Sequence, residues 1–130
     1  MHTEELNKLS SKILDSAVSV HKEMGPGLLE SVYEQCLLKE FELRHIKAVN
    51  QLAIPLVYKG YELSKDFKID ILVEDEIIIE LKSVEVMLPV FDAQIISYLK
   101  LANKRLGFLI NFNVPLLKQG FKRFVNQFQT

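Results

Sequence analysis

The sequence predicts a mixed α/β fold, α+β in its segregation, with a mixed central sheet flanked by helices in the order α-α-β-β-β-α-β-α. Three observations predict it. Up to His45 the apolar residues recur at steps of three and four, the helical period. From Ala48 to Val84 the period changes, and β-branched and aromatic residues gather into runs. After Pro89 the helical period returns, then gives way to the short apolar run RLGFLINF. Strands in one run, then a crossover helix and a further strand, imply a sheet of mixed direction with helices packed on it.

Thr3 to Met24 reads as the first helix, with Leu6, Leu9, Ile13, Ala17, Val20 and Met24 in one apolar stripe. Gly25-Pro26-Gly27 breaks it. A second helix from Leu28 to His45 carries Leu29, Val32, Tyr33, Cys36, Leu37 and Phe41 on its stripe. Ala48 to Tyr58 is strand-like. Pro55 has no N–H to give a ladder, which argues for an edge position or a bulge. Lys59-Gly60 reads as a turn. Tyr61 to Val73 and Ile77 to Val84 are further strands, joined near Asp75. Ala93, Ile95, Ile96, Leu99 and Leu101 support a helix from Pro89 to Ala102. Arg105 to Phe112 is expected as a central strand. Leu116 to Phe128 is expected as a closing amphipathic helix carrying Leu117, Phe121, Phe124 and Phe128.

The 130 residues fit one domain, 1–130, and a hydrophobic content of 48% suffices for a core at this size. No stretch reads as a linker or a repeat. No apolar run approaches the roughly 20 residues needed to cross a bilayer. The start, MHTEELNKLSSK, lacks the basic and apolar regions of a secretory signal. A cytoplasmic protein with no membrane partner is the expectation. A single cysteine, Cys36, excludes an internal disulfide and any cysteine-based zinc cluster, and it reads as a small core residue. His2, His21 and His45 show no ligand spacing and read as ordinary surface or helix residues. A net charge of −1 gives no whole-chain electrostatic case for nucleic-acid binding. Two local groups are basic: Lys100, Lys104 and Arg105, then Lys118, Lys122 and Arg123. They read equally well as solvated helix faces.

The stretch IDILVEDEIIIELKS, residues 69–83, reads as a β-hairpin with charge where a core strand should be apolar. Side chains alternate across a strand, so Glu80 and Lys82 share a face with Ile78, while Ile77, Ile79 and Leu81 share the other. With the three-residue loop Glu74-Asp75-Glu76, Asp70 lies opposite Glu80 on the same face. With a two-residue loop, Asp70 falls opposite Ile79 and the carboxylates part. Three-residue loops are common, and the shared-face register is expected. Carboxylates directly opposite one another repel, and one pKa rises. A divalent cation relieves that conflict, and a few carboxylate oxygens plus waters is how proteins hold Mg²⁺. Such an ion polarises a phosphoryl oxygen and lowers the pKa of a bound water. Lys82, alongside, could orient the nucleophile or stabilise developing negative charge. By spacing alone, a solvated sheet face with a cross-strand salt bridge is the favoured account.

Beyond this point the residues resemble a known family. Asp70, followed ten residues later by Glu80-Leu81-Lys82, is similar to the signature of the PD-(D/E)XK nuclease superfamily. Gly27-Leu28-Leu29-Glu30-Ser31-Val32-Tyr33 resembles the motif that names its GxxExxY family. Gln94-Ile95-Ile96-Ser97-Tyr98 resembles the QxxxY motif of its lambda-exonuclease-like members. The stretches IPLVYKGYEL and GFLINFNVPLLKQGFKRF also look like that family, so the resemblance spans roughly Leu6 to Phe128. It implies a restriction-endonuclease-like core and a Mg²⁺-dependent nuclease, with Mn²⁺ as a substitute ion. Asp70, Glu80 and Glu30 correspond to metal-binding carboxylates, Lys82 to the catalytic lysine, and Gln94 and Tyr98 to the active-site helix pair. Ile69 stands where the superfamily's name has proline, and Asp92 where histidine is often expected. Read without the resemblance, Glu30 also fits plain complementation of a helix dipole. Gln94 and Tyr98 also fit a polar seam between helix and sheet. Tyr33 reads as core, with its hydroxyl near the site.

The expected function is hydrolysis of nucleic-acid phosphodiesters, DNA ranked ahead of RNA, through a metal-activated water. The alternative is a non-catalytic nucleic-acid-binding or protein-interaction module that keeps the fold. A third account is a site completed by a homodimer or partner protein, which exposed Phe121, Phe124 or Phe128 on a last helix would favour.

Overall fold

The computed structural model describes residues 1–126. Helix α1 runs Thr3–Met24 and α2 runs Glu30–Leu43. Three strands follow: β1 Ala48–Tyr58, β2 Tyr61–Val73 and β3 Ile77–Lys82. Helix α3, Pro89–Ala102, crosses to β4, Leu106–Asn111. A single 3-10 turn, Leu117–Gly120, then leads into β5, Phe121–Val125. The strands form one five-stranded sheet in chain order, β1-β2-β3-β4-β5. Only the β3–β4 pair, joined through α3, is parallel; the other three are antiparallel. The fold class is the one expected, a mixed sheet flanked by helices.

Local chemistry accounts for the boundaries. Glu4 and Glu5 lie in the first turn of α1 and Lys22 in its last, each complementing the helix dipole. Gly25, at φ 72°, ends the helix, and its N–H donates to the carbonyl of His21 (2.8 Å). Pro89 occupies the first turn of α3, and Asn103 closes that helix in the left-handed conformation. Pro55 sits on edge strand β1 beside a register shift between Ile54 and Leu56, as an edge proline should.

Two apolar layers cover the two faces of the sheet. On one, Ile71, Val73, Ile77, Ile79 and Leu81 pack with Ile13, Ala17, Tyr33, Leu37 and Phe41 from α1 and α2. On the other, Leu72, Ile78 and Leu109 pack with Ile95, Tyr98 and Leu99 of α3. Cys36 is partly buried against the first layer, in keeping with a core role.

Three expectations are corrected. The segment from Leu116 is not a helix but a 3-10 turn and a strand, β5, paired antiparallel with β4 from Ile110↔Phe121 to Leu106↔Val125. Phe121 and Phe124 are three apart, a helical spacing. On a strand that odd spacing sends them to opposite faces. Both faces are covered here: Phe121 packs on the first layer and Phe124 on the second. Neither therefore offers the exposed helical face that would favour a partner, and Phe128 lies outside the described residues. The strand after α3 is interior, but β3 takes the centre of the sheet. His21 is buried rather than superficial. Its Nε2–H donates to the carbonyl of Val114 (2.8 Å), pinning the end of α1 to the chain beyond β4.

The turn into β5 depends on Gly120. A Cβ there would stand 2.1 Å from the carbonyl oxygen of Asn111, a backbone atom that cannot swing aside. Gly120→Ala is expected to destabilise the fold by about 3 kcal/mol, as overpacking against rigid neighbours does. Thermal unfolding followed by circular dichroism checks this, with an unchanged Tm as the contrary result.

Candidate active site

The hairpin register places the carboxylates. The β2–β3 ladder runs Val73↔Ile77, Leu72↔Ile78, Ile71↔Ile79, closed by the three-residue loop Glu74-Asp75-Glu76. Glu74 and Asp75 take positive φ, and the N–H of Glu76 donates to the carbonyl of Val73 (2.9 Å). Continued by one step, this register sets Asp70 opposite Glu80. There the side chains replace the ladder. The Asp70 N–H donates to Glu80 Oε1 (3.2 Å), and the Leu81 N–H donates to Asp70 Oδ2 (2.8 Å). Each carboxylate thus spends one oxygen on the opposite strand's main chain and keeps the other.

Strand β2 also changes face here. Ile69 packs in the α3 layer, while Ile71 packs in the layer beneath α1 and α2. In a regular strand these two would share a face. Opposite Asp70, in β1, Gln51 has φ 50°, and the recorded pairing passes from Asn50↔Ile71 to Leu52↔Ile69 without a change of register.

Glu80 is 5% exposed. Burial first, then the charge of Asp70, pushes its carboxyl up to about 9; the Asp70 N–H and the Lys82 ammonium pull the other way. Lys82 is half-buried, and its Nζ lies 4.4 Å from the Phe91 ring centroid, a cation–π contact. Among the described residues it forms no ion pair. From α3, Gln94 Nε2 donates to the Tyr98 hydroxyl (3.0 Å). Burial and then the nearby Glu80 charge push the Tyr98 phenol up, against the Gln94 hydrogen bond. The structure therefore gathers Asp70, Glu80, Lys82, Gln94 and Tyr98 on the α3 side of the sheet.

Glu30 stands apart. It opens α2, is exposed, and has no hydrogen bond or ion pair among the described residues. No group of three or more acidic, histidine or cysteine side chains is drawn together there for a metal. The α2 carboxylate linked to the strands is Glu34, one turn on: Gln51 Nε2 donates to its Oε1 (2.7 Å) and lies 3.5 Å from Asp70 Oδ1. Asp92 is paired with Lys122 of β5 (2.5 Å).

The residues present fit a divalent cation. Glu80 is buried, and among the described residues its Oε2 takes no main-chain donor and Asp70 Oδ1 has only the long contact from Gln51. Mg²⁺ takes a few carboxylates and otherwise keeps its waters, and its charge would displace the proton that burial and Asp70 keep on Glu80.

The motif Gly27-x-x-Glu30-x-x-Tyr33 has a structural part. Tyr33 is fully buried, with its ring stacked on Phe112 at 4.4 Å. Its hydroxyl donates to the Gly25 carbonyl (2.5 Å) and accepts from the Leu28 N–H (3.1 Å), so it ties down the glycine loop rather than reaching the carboxylates. The Leu28 carbonyl in turn accepts from Ser83 Oγ (2.5 Å), next to Lys82. Asn111, missed in the sequence, is buried opposite Lys82 in the parallel ladder. It exchanges two hydrogen bonds with the main chain of Val84, fixing the course of the chain just past the lysine. A polar residue closing an otherwise apolar strand was the signal available.

A model of the PD-(D/E)XK nuclease superfamily matches residues 7–124. The chain belongs to that superfamily. No curated protein and no solved structure gives a significant match. Nucleases of the superfamily generally use divalent metal ions.

Two outcomes are expected. Tyr33→Phe leaves the Leu28 N–H and the Gly25 carbonyl without their partner, and should lower stability by about 1–3 kcal/mol in urea titration. Glu80 predicts a pH dependence in the metal-free protein. Its folded pKa is raised above the usual 4.5, so both states hold the proton below that pH. Between about 4.5 and 9 only the folded state holds it, and stability falls as pH rises. Compared with Glu80→Gln in EDTA, wild type should lose on the order of a few kcal/mol across that window, and added Mg²⁺ should reduce the loss. Parallel stability profiles for the two proteins would contradict it.

Proposed function

We propose that the protein is a Mg²⁺-dependent nuclease of the GxxExxY, lambda-exonuclease-like branch, hydrolysing phosphodiester bonds of nucleic acid, DNA before RNA. One observation carries the reading. Asp70 and Glu80 are interlocked across the β2–β3 gap, beside Lys82, which forms no ion pair among the described residues. A purely structural salt bridge would have paired Lys82 with one of them.

Asp70 and Glu80 would hold the cation; Glu30, exposed at the start of α2, is not drawn to them, so the resemblance alone speaks for it as a further ligand. When bound, the ion supplies Lewis-acid polarisation of the phosphoryl oxygen and a more acidic water. The chain's own residues do the rest. Lys82, steadied over Phe91, orients the attacking water and offsets the negative charge that grows on the phosphoryl oxygens. The water oxygen forms a new bond to phosphorus and gives up a proton, one bridging P–O bond breaks, and the leaving oxygen takes up a proton. Gln94 and Tyr98, already hydrogen-bonded to each other, present an amide and a hydroxyl to the phosphate from α3. Tyr98 stays protonated and available as a donor at neutral pH, since its surroundings push its pKa up.

Purified protein incubated with single- and double-stranded DNA and RNA, with Mg²⁺ or Mn²⁺, tests this. Lys82→Ala should reduce cleavage about 100- to 1000-fold, the usual effect of removing one transition-state donor. Glu80→Ala should abolish it. Equal cleavage by wild type and both variants would overturn the assignment of this site. No cleavage of any substrate would favour a binding module that keeps the fold.

A further inference from the structure

Resting on the cation site proposed above, we infer that Gln51 is a positioning residue: it aims the Asp70 carboxylate, and Glu34 anchors it. Three observations converge on it. Gln51 is a non-glycine residue in the left-handed region, in the middle of a strand. That conformation is disfavoured for L-residues and persists only where the surroundings enforce it. It occurs at the one position of β1 that lies opposite Asp70, where β2 switches faces. The third is what the Gln51 side chain reaches: Nε2 has two hydrogens, with Glu34 Oε1 at 2.7 Å and Asp70 Oδ1 at 3.5 Å.

Glu34 is well held for the role of anchor. Asn50 Nδ2 donates to its second oxygen (3.3 Å), so neighbouring residues of β1 grip both oxygens of one helix carboxylate. The oxygen of Asp70 that Gln51 faces is not the one committed to the Leu81 N–H. It is the one left for a cation.

The chemistry explains an amide at this position. A lysine or arginine between Glu34 and Asp70 would neutralise Asp70 and compete with a divalent ion. A carboxylate would add repulsion. A carboxamide orients Asp70 by hydrogen bonding and leaves its charge intact. The strained backbone supplies the aim: a regular strand would alternate Gln51 with Asn50 and send their side chains to opposite faces, whereas here both reach Glu34.

Mn²⁺ binding to the full chain, measured by isothermal titration calorimetry, tests the inference beside Tm. Asp70→Asn should abolish binding at the site. Gln51→Gly should raise Kd about tenfold or more, the usual consequence of losing a residue that orients a ligand. Its Tm should stay close to that of wild type, since glycine accepts the left-handed backbone freely. Gln51→Asn, which also tolerates that backbone but is too short to reach both carboxylates, should show the same loss. Glu34→Gln should weaken binding alone and add nothing further in combination with Gln51→Gly. An unchanged Kd in both Gln51 variants, with Asp70→Asn still abolishing binding, would overturn the role of Gln51 and leave the cation site standing. A Kd loss matched by a large fall in Tm in both variants would reduce Gln51 to a structural residue and overturn it too. Absence of Asp70-dependent Mn²⁺ binding in wild type would overturn the cation site, and the inference with it.

Discussion

Asp70 and Glu80 exchange hydrogen bonds with each other's strands: the Asp70 N–H goes to Glu80, and the Leu81 N–H goes to Asp70. Ordinary ladder bonds at this step would leave both carboxylates unneeded and the two strands in register to their ends. Here the carboxylates take over the ladder's work, so strand pairing and site geometry cannot be separated. Beyond the Ile71↔Ile79 pair, the strands are joined through the two acids. Main-chain donors on the facing strands hold the acids close, and the proton kept on Glu80 relieves their repulsion. Burial of Glu80 follows from this, and so does its raised pKa. Everything packed around the pair, α3 above and β1 to one side, is arranged around a deliberate electrostatic conflict.

Support for that conflict comes from main-chain clamps more than from charges. Asn111 binds the main chain just past Lys82, and Ser83 binds the carbonyl of Leu28. Tyr33 then fixes the loop that carries Leu28. Helix α2 is thereby tied to the end of β3 through neutral hydrogen bonds, which salt and pH disturb little. The exposed ion pairs, such as Lys39 with Glu42 and Lys65 with Glu62, are long-armed surface contacts of small energetic weight.

Much of this was legible in the sequence where a single period dominates. The stripe from Leu6 to Val20 has one reading, and α1 buries it as expected, although Met24 at its end is exposed. The hairpin was legible because Ile77 to Leu81 is too apolar for a loop, and a three-residue turn leaves one register that buries both strands. The last segment misled because Phe121 and Phe124 have two homes, one on each face of a doubly covered sheet, and a three-residue spacing imitates a helix. What decides between them is the open edge of β4, a tertiary fact that no local window contains. The same holds for Glu34 and Gln51. Nothing in their own neighbourhoods marks them; they matter because folding lays α2 across β1 at the level of Asp70. The burial of His21 depends likewise on Val114, far along the chain.

The order of the strands across the sheet is their order along the chain. A chain emerging from a ribosome can therefore lay down this sheet from one side to the other, each new strand adding to an edge that already exists. The two helices that cover the first face are made before any strand. By the time Lys82 has emerged, β1, β2 and β3 can already pair, so the carboxylates can meet before α3 and the last two strands are synthesised. Assembly in this sequence needs no strand to insert between two others. The edge exposed at each stage is the one the next strand will occupy, and synthesis itself shortens the time it stays open.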